Sequence, residues 1–230
     1  MKGQDIEFLE QYDGSSFEKP SIAVDLLIFT IENEELKVLL INREQPPFKG
    51  MLSLPGVFVG LEESLDEAVI RGLKEKTGLR EIYFEQLYTW GEVRRDPRMR
   101  IISVSYLALV SMDTLCKAAE NHDIAKNLYS VKDLLKSHER LAFDHFKIIA
   151  YGRERVQNKA EYMPIAFQFL PDEFTLPQLQ RVYEILLDKN LYKANFRKKI
   201  LPLVSETGEY TSGEAYRPSK LYVRNFEWEK

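Results

Sequence analysis

The sequence contains little cysteine and histidine. Its single cysteine, Cys116, excludes an intramolecular disulfide and any zinc cluster built from several thiolates, and this usage is typical of a reducing compartment. The three histidines, His122, His138 and His145, lack metal-ligand spacing, so we expect satisfied or exposed side chains rather than ligands. These residues predict no metal site built from cysteine or histidine, and we expect no metal site and no cofactor in the chain.

The start of the chain lacks a long hydrophobic run. Residues 1–20, MKGQDIEFLEQYDGSSFEKP, mix acids, glycine and serine without an apolar core, which argues against a signal peptide or membrane anchor there. We expect a loose N-terminal arm and a cytoplasmic protein. With 230 residues, 44% of them hydrophobic and 30% charged, the chain is long enough for two modest globular domains.

A net positive charge is also missing, because the whole chain carries a formal charge of −4. Spread evenly, this charge would argue against a nucleic-acid partner. Residues 189–224 are different, since eight lysines and arginines there are accompanied by only three glutamates. This basic C-terminal segment keeps DNA as a candidate partner.

Short hydrophobic runs and turn signals predict a sheet followed by helices. Apolar runs predict buried strands at residues 22–30, 36–42, 82–90 and 100–110. The polar stretch IENEE between the first two runs predicts a hairpin. Asp144 is expected to cap a helix over about residues 145–156, and a domain boundary is expected near Pro164.

Residues 56–79, GVFVGLEESLDEAVIRGLKEKTGL, predict a loop followed by a helix over residues 64–77 that Gly78 ends. Acids three or four residues apart on such a helix can converge on a hard cation. The stretch resembles the Nudix box, whose usual form is G, five residues, E, seven residues, R-E-U-x-E-E-x-G-U, where U is aliphatic. The positions that match are Glu63, Arg71, Leu73, Glu75, Gly78 and Leu79.

Three positions depart from that pattern. Val57 replaces the leading glycine, and Gly72 and Lys76 stand where the family has two glutamates of its metal-binding and water-activating set. An ammonium group competes with a cation for the remaining carboxylates, so we expect no hydrolase activity and no catalytic residues. Two alternatives stay open. One is a surface helix with an ordinary charge ladder, and the other is an active hydrolase of ADP-ribose or a related nucleotide that uses Glu62 or Glu67 instead.

A second pattern lies in residues 174–201. Thr175 and Gln178 form the spacing of a capping box before a helix over residues 174–187. The next helix, over residues 194–201, is predicted to bury Phe196 and Ile200 while its cations stay outside. Residues 205–223 then predict a hairpin, which together with the two helices is typical of a winged helix-turn-helix. A helical dimerisation subdomain with solvated cations is the alternative.

Together, the altered Nudix box and the stretch FTLPQLQRVYEILLDKNLYKANFRKKIL resemble the Nudix-related transcriptional regulators, the NrtR-like family. The likeness extends over about residues 21–226 and includes RRDPRMRIISVSY, LAFDH and NKAEYMPIAFQFLP. It implies an α/β fold, a Nudix-type mixed sheet sandwiched by helices and followed by a C-terminal winged helix-turn-helix. The expected divisions are residues 1–20, 21–163 and 164–230.

The resemblance further implies a homodimeric regulator, expected to be a repressor, whose first domain senses a small effector and whose second binds operator DNA. The effector is expected to be an ADP-ribose-like nucleotide or a sugar such as arabinose. Arginines suit phosphate contact and Trp90 suits stacking on a base. The expected effector-binding residues are Arg43, Phe58, Glu63, Arg71, Glu75, Trp90, Arg95 and Arg98. The expected DNA-binding residues are Lys193, Asn195, Arg197, Lys198, Arg217 and Lys220. Glu63 and Arg71 alternatively pair with each other.

Overall fold

The structure, a computed structural model, describes residues 3–118, 124–211 and 218–225. The strands are β1 (Ser21–Glu32), β2 (Glu35–Leu39), β3 (Ile41–Asn42), β4 (Leu52–Ser53), β5 (Gly56–Phe58), β6 (Tyr83–Trp90), β7 (Ile101–Leu109), β8 (Leu128–Ser130), β9 (Val204–Tyr210) and β10 (Lys220–Arg224). The α-helices are α1 (Gly3–Gln11), α2 (Leu65–Thr77), α3 (Met112–Ala118), α4 (Val131–Ser137), α5 (His145–Tyr162), α6 (Leu176–Leu187) and α7 (Lys193–Ile200). None of these helices combines the length and apolarity needed to span a bilayer.

A mixed sheet forms the centre of the first domain, as predicted. Its strand order is β6-β7-β1-β2-β8, and β5 also pairs with β1. β1 and β7 are parallel, while the other pairs are antiparallel. The predicted hairpin is confirmed, and its turn places Asn33 and Glu34 at φ values of 50° and 60°. Two successive positive φ values give the turn a twist that matches the flanking strands.

The sheet is covered by helices on both faces, because β1 is buried on both sides. Leu27 and Phe29 belong to a core that includes residues of α4 and α5, whereas Leu26 and Ile28 belong to a core formed with α2 and α3. Successive strand residues point to opposite faces, so an uninterrupted apolar run is what a doubly covered strand requires. The sandwiched sheet expected from the sequence is therefore confirmed.

The winged helix is joined to the first of these cores. Phe174 precedes α6 and its backbone exchanges hydrogen bonds with Tyr222 of β10, at 3.0 and 2.8 Å. Thr175 caps α6 through the predicted capping box with Gln178. Phe196 and Ile200 of α7 are buried in the same core, as expected. The hairpin β9–β10 follows α7, which gives the order of elements of a winged helix-turn-helix.

Four local expectations were wrong. Residues 3–11 form the exposed helix α1 rather than a loose arm, since isoleucine, leucine and glutamate there have adequate helix propensity. The run at 36–42 breaks at Leu40, whose N–H donates to Asn127 O (3.0 Å) while β3 pairs with β4. Helix α5 continues beyond residue 156 to Tyr162. Asp144 occupies the N-cap of α5, but its side chain makes no capping hydrogen bond because it binds Arg95 instead.

Candidate functional site

The helix of the Nudix-like stretch begins and ends where its sequence predicts. The Ser64 hydroxyl accepts from Glu67 N, and the Glu67 carboxylate accepts from Ser64 N at 2.7 Å, so α2 starts with a capping box. Gly78 ends it with φ of 72° and an N–H bond to Lys74 O. The left-handed conformation suits glycine because it has no Cβ. These caps stabilise both ends of α2, which follows β5 and the loop that carries Glu63.

Gly72 is buried where α2 packs on the sheet. A Cβ at this position would lie 3.1 Å from Val57 Cγ2 and 3.2 Å from Leu26 Cδ1. Val57 and Gly72, two of the three departures from the Nudix box, therefore pack against each other. The isopropyl group of Val57 fills the space into which a side chain at residue 72 would project.

Glu63 and Arg71 form an ion pair, which confirms the pairing alternative. Arg71 Nη2 and Nε lie 2.6 and 3.0 Å from the two Glu63 oxygens, and Nη2 also donates to Phe58 O at 2.9 Å. Gly60 N donates to Glu63 Oε1 at 2.7 Å. The hydrogen bond from Arg71, with that from Gly60, lowers the pKa of Glu63 to about 2. Glu75 lies further from Arg71, at 3.5 Å. The pair binds the loop to the helix.

Several carboxylates of the loop and α2 already have protein partners. A divalent cation needs several oxygens that converge, yet the Glu63 carboxylate is bound to Arg71 and the Glu67 carboxylate closes the capping box. Gly72 supplies no carboxylate, and Lys76 brings a positive charge. Among the described residues no group of three or more His, Cys, Asp or Glu side chains is arranged to hold a metal ion.

Two of the predicted arginines meet over one aromatic ring. Arg43, directly after β3, places its guanidinium carbon 4.8 Å from the centre of Phe143, and that of Arg98 lies 5.8 Å from the same centre. Arg98 also lies 5.6 Å from the ring centre of Phe58. Phe48 packs edge-on against Phe143, with ring centres 4.9 Å apart. We call these five residues the guanidinium cluster.

The two guanidinium groups in this cluster differ in their partners. Arg98 binds Asp96 through two nitrogens, at 3.0 and 2.7 Å. The hydrogen bonds described for Arg43 go to backbone carbonyls instead, at 2.8 Å to Pro47 O and 3.4 Å to Gln45 O. Burial lowers the pKa of Arg43, and the charge of Arg98 lowers it further. This electrostatic environment favours an anionic ligand, and paired guanidinium groups suit phosphate oxygens.

Arg95 is buried beside the cluster instead of lining it. Its side chain is 4% exposed, and it binds Asp144 at 2.6 Å and Asp25 at 3.1 Å. His145 joins the network through its Nε2, which lies 3.6 Å from Asp25 Oδ1. Leu54 N donates to His145 Nδ1 at 2.8 Å, and burial lowers the pKa of this histidine, which keeps the ring neutral. The network anchors the loop of Arg95 to β1 and α5. This geometry gives Arg95 a positioning role, and direct contact with an effector stays a prediction.

Sequence reasoning missed several of the residues that build this region, Phe48 and Asp96 among them. Phe143 lies in the stretch LAFDH, and its φ of 56° is unusual for a residue with a side chain. Asp25 is an acid inside the apolar run IAVDLLIFT, a signal that a buried charge needs a partner. Asp144 and His145 were interpreted only as a cap and a satisfied histidine. Neither their spacing nor their neighbours in sequence indicates that they meet Arg95.

Trp90 has a different set of neighbours. Its indole N–H donates to Ser105 Oγ at 2.9 Å, and its ring centre lies 5.0 Å from that of Tyr88 and 6.0 Å from that of Tyr151. These aromatic side chains come from β6 and α5. The role of Trp90 in stacking on a base therefore stays a prediction, without support from these contacts.

The predicted DNA-binding residues lie mainly on the outside of α7. Lys193, Asn195, Arg197 and Lys198 are exposed. Lys199 instead turns back and donates to Glu161 O of α5 at 3.0 Å. In the hairpin, the exposed Lys220 pairs with Glu206 at 2.7 Å. Arg217 and His122 lie outside the described residues.

Glu184 holds α7 in position relative to α6. Its Oε1 accepts from Leu191 N at 2.9 Å, just before α7, and from Gln180 Nε2 at 3.1 Å. A groove of about 700 Å³ lies between α6, α7 and the hairpin. A separate cleft of about 730 Å³ lies between the β1–β2 turn, α4, α5 and α6. Neither cavity coincides with the guanidinium cluster. The cluster is a candidate site because of its charges and ring contacts, not because it encloses a volume.

Comparisons with known proteins agree with this arrangement. Residues 21–151 match the family model of the NUDIX domain, and residues 166–223 match that of the NrtR DNA-binding winged helix domain. The ADPR responsive transcriptional repressor NtrR of Acinetobacter baylyi is 35% identical over 219 residues, which are 94% of this chain and 86% of that protein.

Two solved structures from Shewanella oneidensis are also similar. NrtR complexed with a 27mer DNA has a TM-score of 0.79 and 37% identity, over 89% of this chain and 93% of that chain. The NUDIX domain of that NrtR complexed with ADP ribose has a TM-score of 0.54 and 35% identity, over 67% of this chain and 99% of that chain. The present chain therefore belongs to the NrtR family, with a NUDIX domain followed by an NrtR DNA-binding winged helix domain.

Proposed function

We propose that this chain is an ADP-ribose-responsive transcriptional repressor in the cytoplasm. Residues 21–163 form the sensor, residues 164–230 bind operator DNA, and residues 1–20 precede both. The observation that carries the proposal is α7, an eight-residue helix that buries Phe196 and Ile200 and exposes Arg197 and Lys198 to solvent. A recognition helix needs apolar side chains that fix it to the domain core and exposed cationic side chains that reach a groove of DNA.

The guanidinium cluster favours a nucleotide diphosphate over a neutral sugar as effector. A diphosphate presents oxygens to both Arg43 and Arg98, while its base or ribose packs on Phe58 or Phe143. Arabinose carries no anion and would supply no negative charge to Arg43. The similarity to repressors and domains named for ADP-ribose supports the same choice. We propose that the effector site is built from Arg43, Phe58, Glu63, Arg71, Glu75, Trp90, Arg95 and Arg98.

We further propose that the sensor does not hydrolyse ADP-ribose. The space for a carboxylate at Gly72 is filled by Val57, and Lys76 and the Glu63–Arg71 pair leave no converging set of oxygens. Incubation with ADP-ribose and Mg²⁺ tests this directly. Turnover at rates typical of enzymes, roughly 1 to 1,000 per second, would favour the alternative function, an active Nudix hydrolase.

A homodimer completes the proposal. A single winged helix contacts few bases, whereas a two-fold pair reads two half-sites one helical turn or a multiple apart. Light scattering at micromolar concentration is expected to give twice the mass of the chain. A monomer both with and without DNA would contradict this.

The main experiment measures DNA binding and effector binding together. The wild-type protein selects a duplex from a random pool, and fluorescence anisotropy follows its release as ADP-ribose, AMP or arabinose is added. We expect ADP-ribose to weaken DNA binding, and calorimetry should find the reciprocal loss in ADP-ribose affinity when DNA is bound, for a coupling of about 1–3 kcal/mol. If calorimetry shows ADP-ribose bound while anisotropy does not change, the repressor model fails for this effector.

Variants of α7 locate the DNA surface. Arg197→Ala and Lys198→Ala should each lose about 1–3 kcal/mol of operator affinity where the side chain reads a base, or reduce the salt slope by about one where it contacts a phosphate. Lys199→Ala is the matched control, because this lysine is on the same helix but donates to Glu161 O of α5. Equal binding by the Arg197 and Lys198 variants and the wild type would remove recognition from this helix.

A further inference from the structure

We propose that the groove between α6, α7 and the hairpin receives the sugar-phosphate backbone of DNA, and that Arg181 of α6 is a further phosphate-binding residue there. Glu34 of the sensor domain competes with DNA for the same guanidinium group. The inference rests on the proposed function, because it concerns how the operator-binding surface is completed and restrained.

The groove carries an excess of positive charge. Four cations line it, namely Arg181, Lys193, Arg197 and Lys220, with Glu184 as the acid among the lining residues described. Glu184 is occupied, since its carboxylate holds the α6–α7 turn through Leu191 N and Gln180. Phosphate oxygens are the anions that a protein meets along DNA, and most protein–DNA hydrogen bonds go to them or to sugar.

Arg181 is exposed enough to solvent to exchange Glu34 for a phosphate group. Its side chain is 45% exposed, and Nη2 lies 3.0 Å from Glu34 Oε2 while Nη1 lies 3.6 Å from Glu184 Oε2. The Glu34 side chain is 69% exposed. An ion pair this accessible to water contributes little net stability, so a phosphate in the groove can replace Glu34. Arginine then offers several N–H donors in a planar group that fits phosphate geometry.

Glu34 belongs to the sensor domain, so its competition with DNA for Arg181 links the sensor to DNA binding. Glu34 lies in the tight β1–β2 turn of the sensor, at φ of 60°, whereas Arg181 belongs to the DNA-binding domain. Arg181 also lines the cleft between the two domains. One arginine therefore faces both the sensor and the DNA groove. Any change in the distance between the turn and α6 alters how freely Arg181 reaches DNA.

The test is a double-mutant cycle on the full chain, with a short duplex selected by the wild-type protein. Anisotropy titrations from about 50 to about 200 mM salt give affinity and salt slope for R181A, E34Q and R181A/E34Q. We expect R181A to bind more weakly with a slope reduced by about 0.9, the value for one lost phosphate contact. E34Q should bind up to about fivefold more tightly, and this gain should vanish in the R181A background.

Matched controls separate the groove from general charge effects. Lys132→Ala removes a cation that lines the cleft but not the groove, and Glu35→Gln removes an acid beside Glu34 that pairs with Lys37. We expect both to leave the affinity near that of the wild type. Circular dichroism checks folding, and R181Q replaces R181A if the alanine variant is unfolded.

Each outcome decides one proposal. If the wild type binds no duplex, the proposed function fails before the inference is tested. If it binds, an unchanged salt slope in the Arg181 variant overturns the phosphate contact. A gain from E34Q that persists without Arg181, or that E35Q reproduces, overturns the competition.

Discussion

Restoring the family's glutamate at residue 72 should cost far more stability than restoring it at residue 76. At Gly72, the new Cβ meets Val57 and Leu26 at 3.1 and 3.2 Å. Overpacking typically costs about 1–3 kcal/mol, and burial of a polar group without a partner adds about 1–3 kcal/mol. Glutamate has a higher helix propensity than glycine, and this offsets about 1 kcal/mol of the cost. The net expectation for G72E is a loss of about 1–5 kcal/mol of unfolding free energy. Exposed Lys76→Glu places a carboxylate in the last turn of α2, where the helix macrodipole disfavours it by only about 0.3–1 kcal/mol.

Urea unfolding of G72E, K76E, V57G and V57G/G72E measures these free energies. Because the Val57 side chain fills the space at residue 72, removing it should relieve the strain of G72E and give a favourable coupling of about 0.5–3 kcal/mol in the cycle. K76E provides the control for adding a carboxylate to the same helix. Equal stability of G72E and K76E, or additive effects of V57G and G72E, would refute the packing explanation for the altered Nudix box.

Three further expectations follow from individual contacts. Glu184→Ala should destabilise the winged helix by about 1–3 kcal/mol in thermal unfolding because it leaves Leu191 N unpaired, and Glu184→Gln should retain most of the stability. The pKa of Glu63 is lowered from 4.5 to about 2, so its contribution to stability is fully present above pH 4.5 and is lost as the pH falls towards 2. NMR titration should find a higher pKa for Glu63 in Arg71→Ala, and an unchanged pKa would exclude the ion pair as the cause of the shift. Gly152→Ala should lower the free energy of unfolding by about 1–3 kcal/mol, because the added Cβ would overlap Leu27 Cδ2. Denaturant unfolding measures this loss, and a stabilised variant would contradict this packing.

Features that depend on neighbours in sequence were predictable. Thr175 with Gln178 forms the predicted capping box and Gly78 ends α2 as predicted, because a cap and the amide that it binds lie within a few residues. The buried strands followed from apolar runs for a similar reason. Asp144 shows the limit of local reasoning. Its position at the start of α5 was correct, but a guanidinium group 49 residues earlier in the chain binds its carboxylate more strongly than the helix amides do.

The family, the order of the two domains and the departures at Val57, Gly72 and Lys76 could be predicted from the sequence, because spacing along the chain encodes each of them. What those residues do depends on the folded arrangement. It packed Val57 against Gly72, paired Glu63 with Arg71, buried Arg95 beside two carboxylates and brought Arg43 and Arg98 to the ring of Phe143. The physical reason is that burial and Coulomb attraction depend on distances in space, and these groups come from strands, loops and helices far apart in the chain.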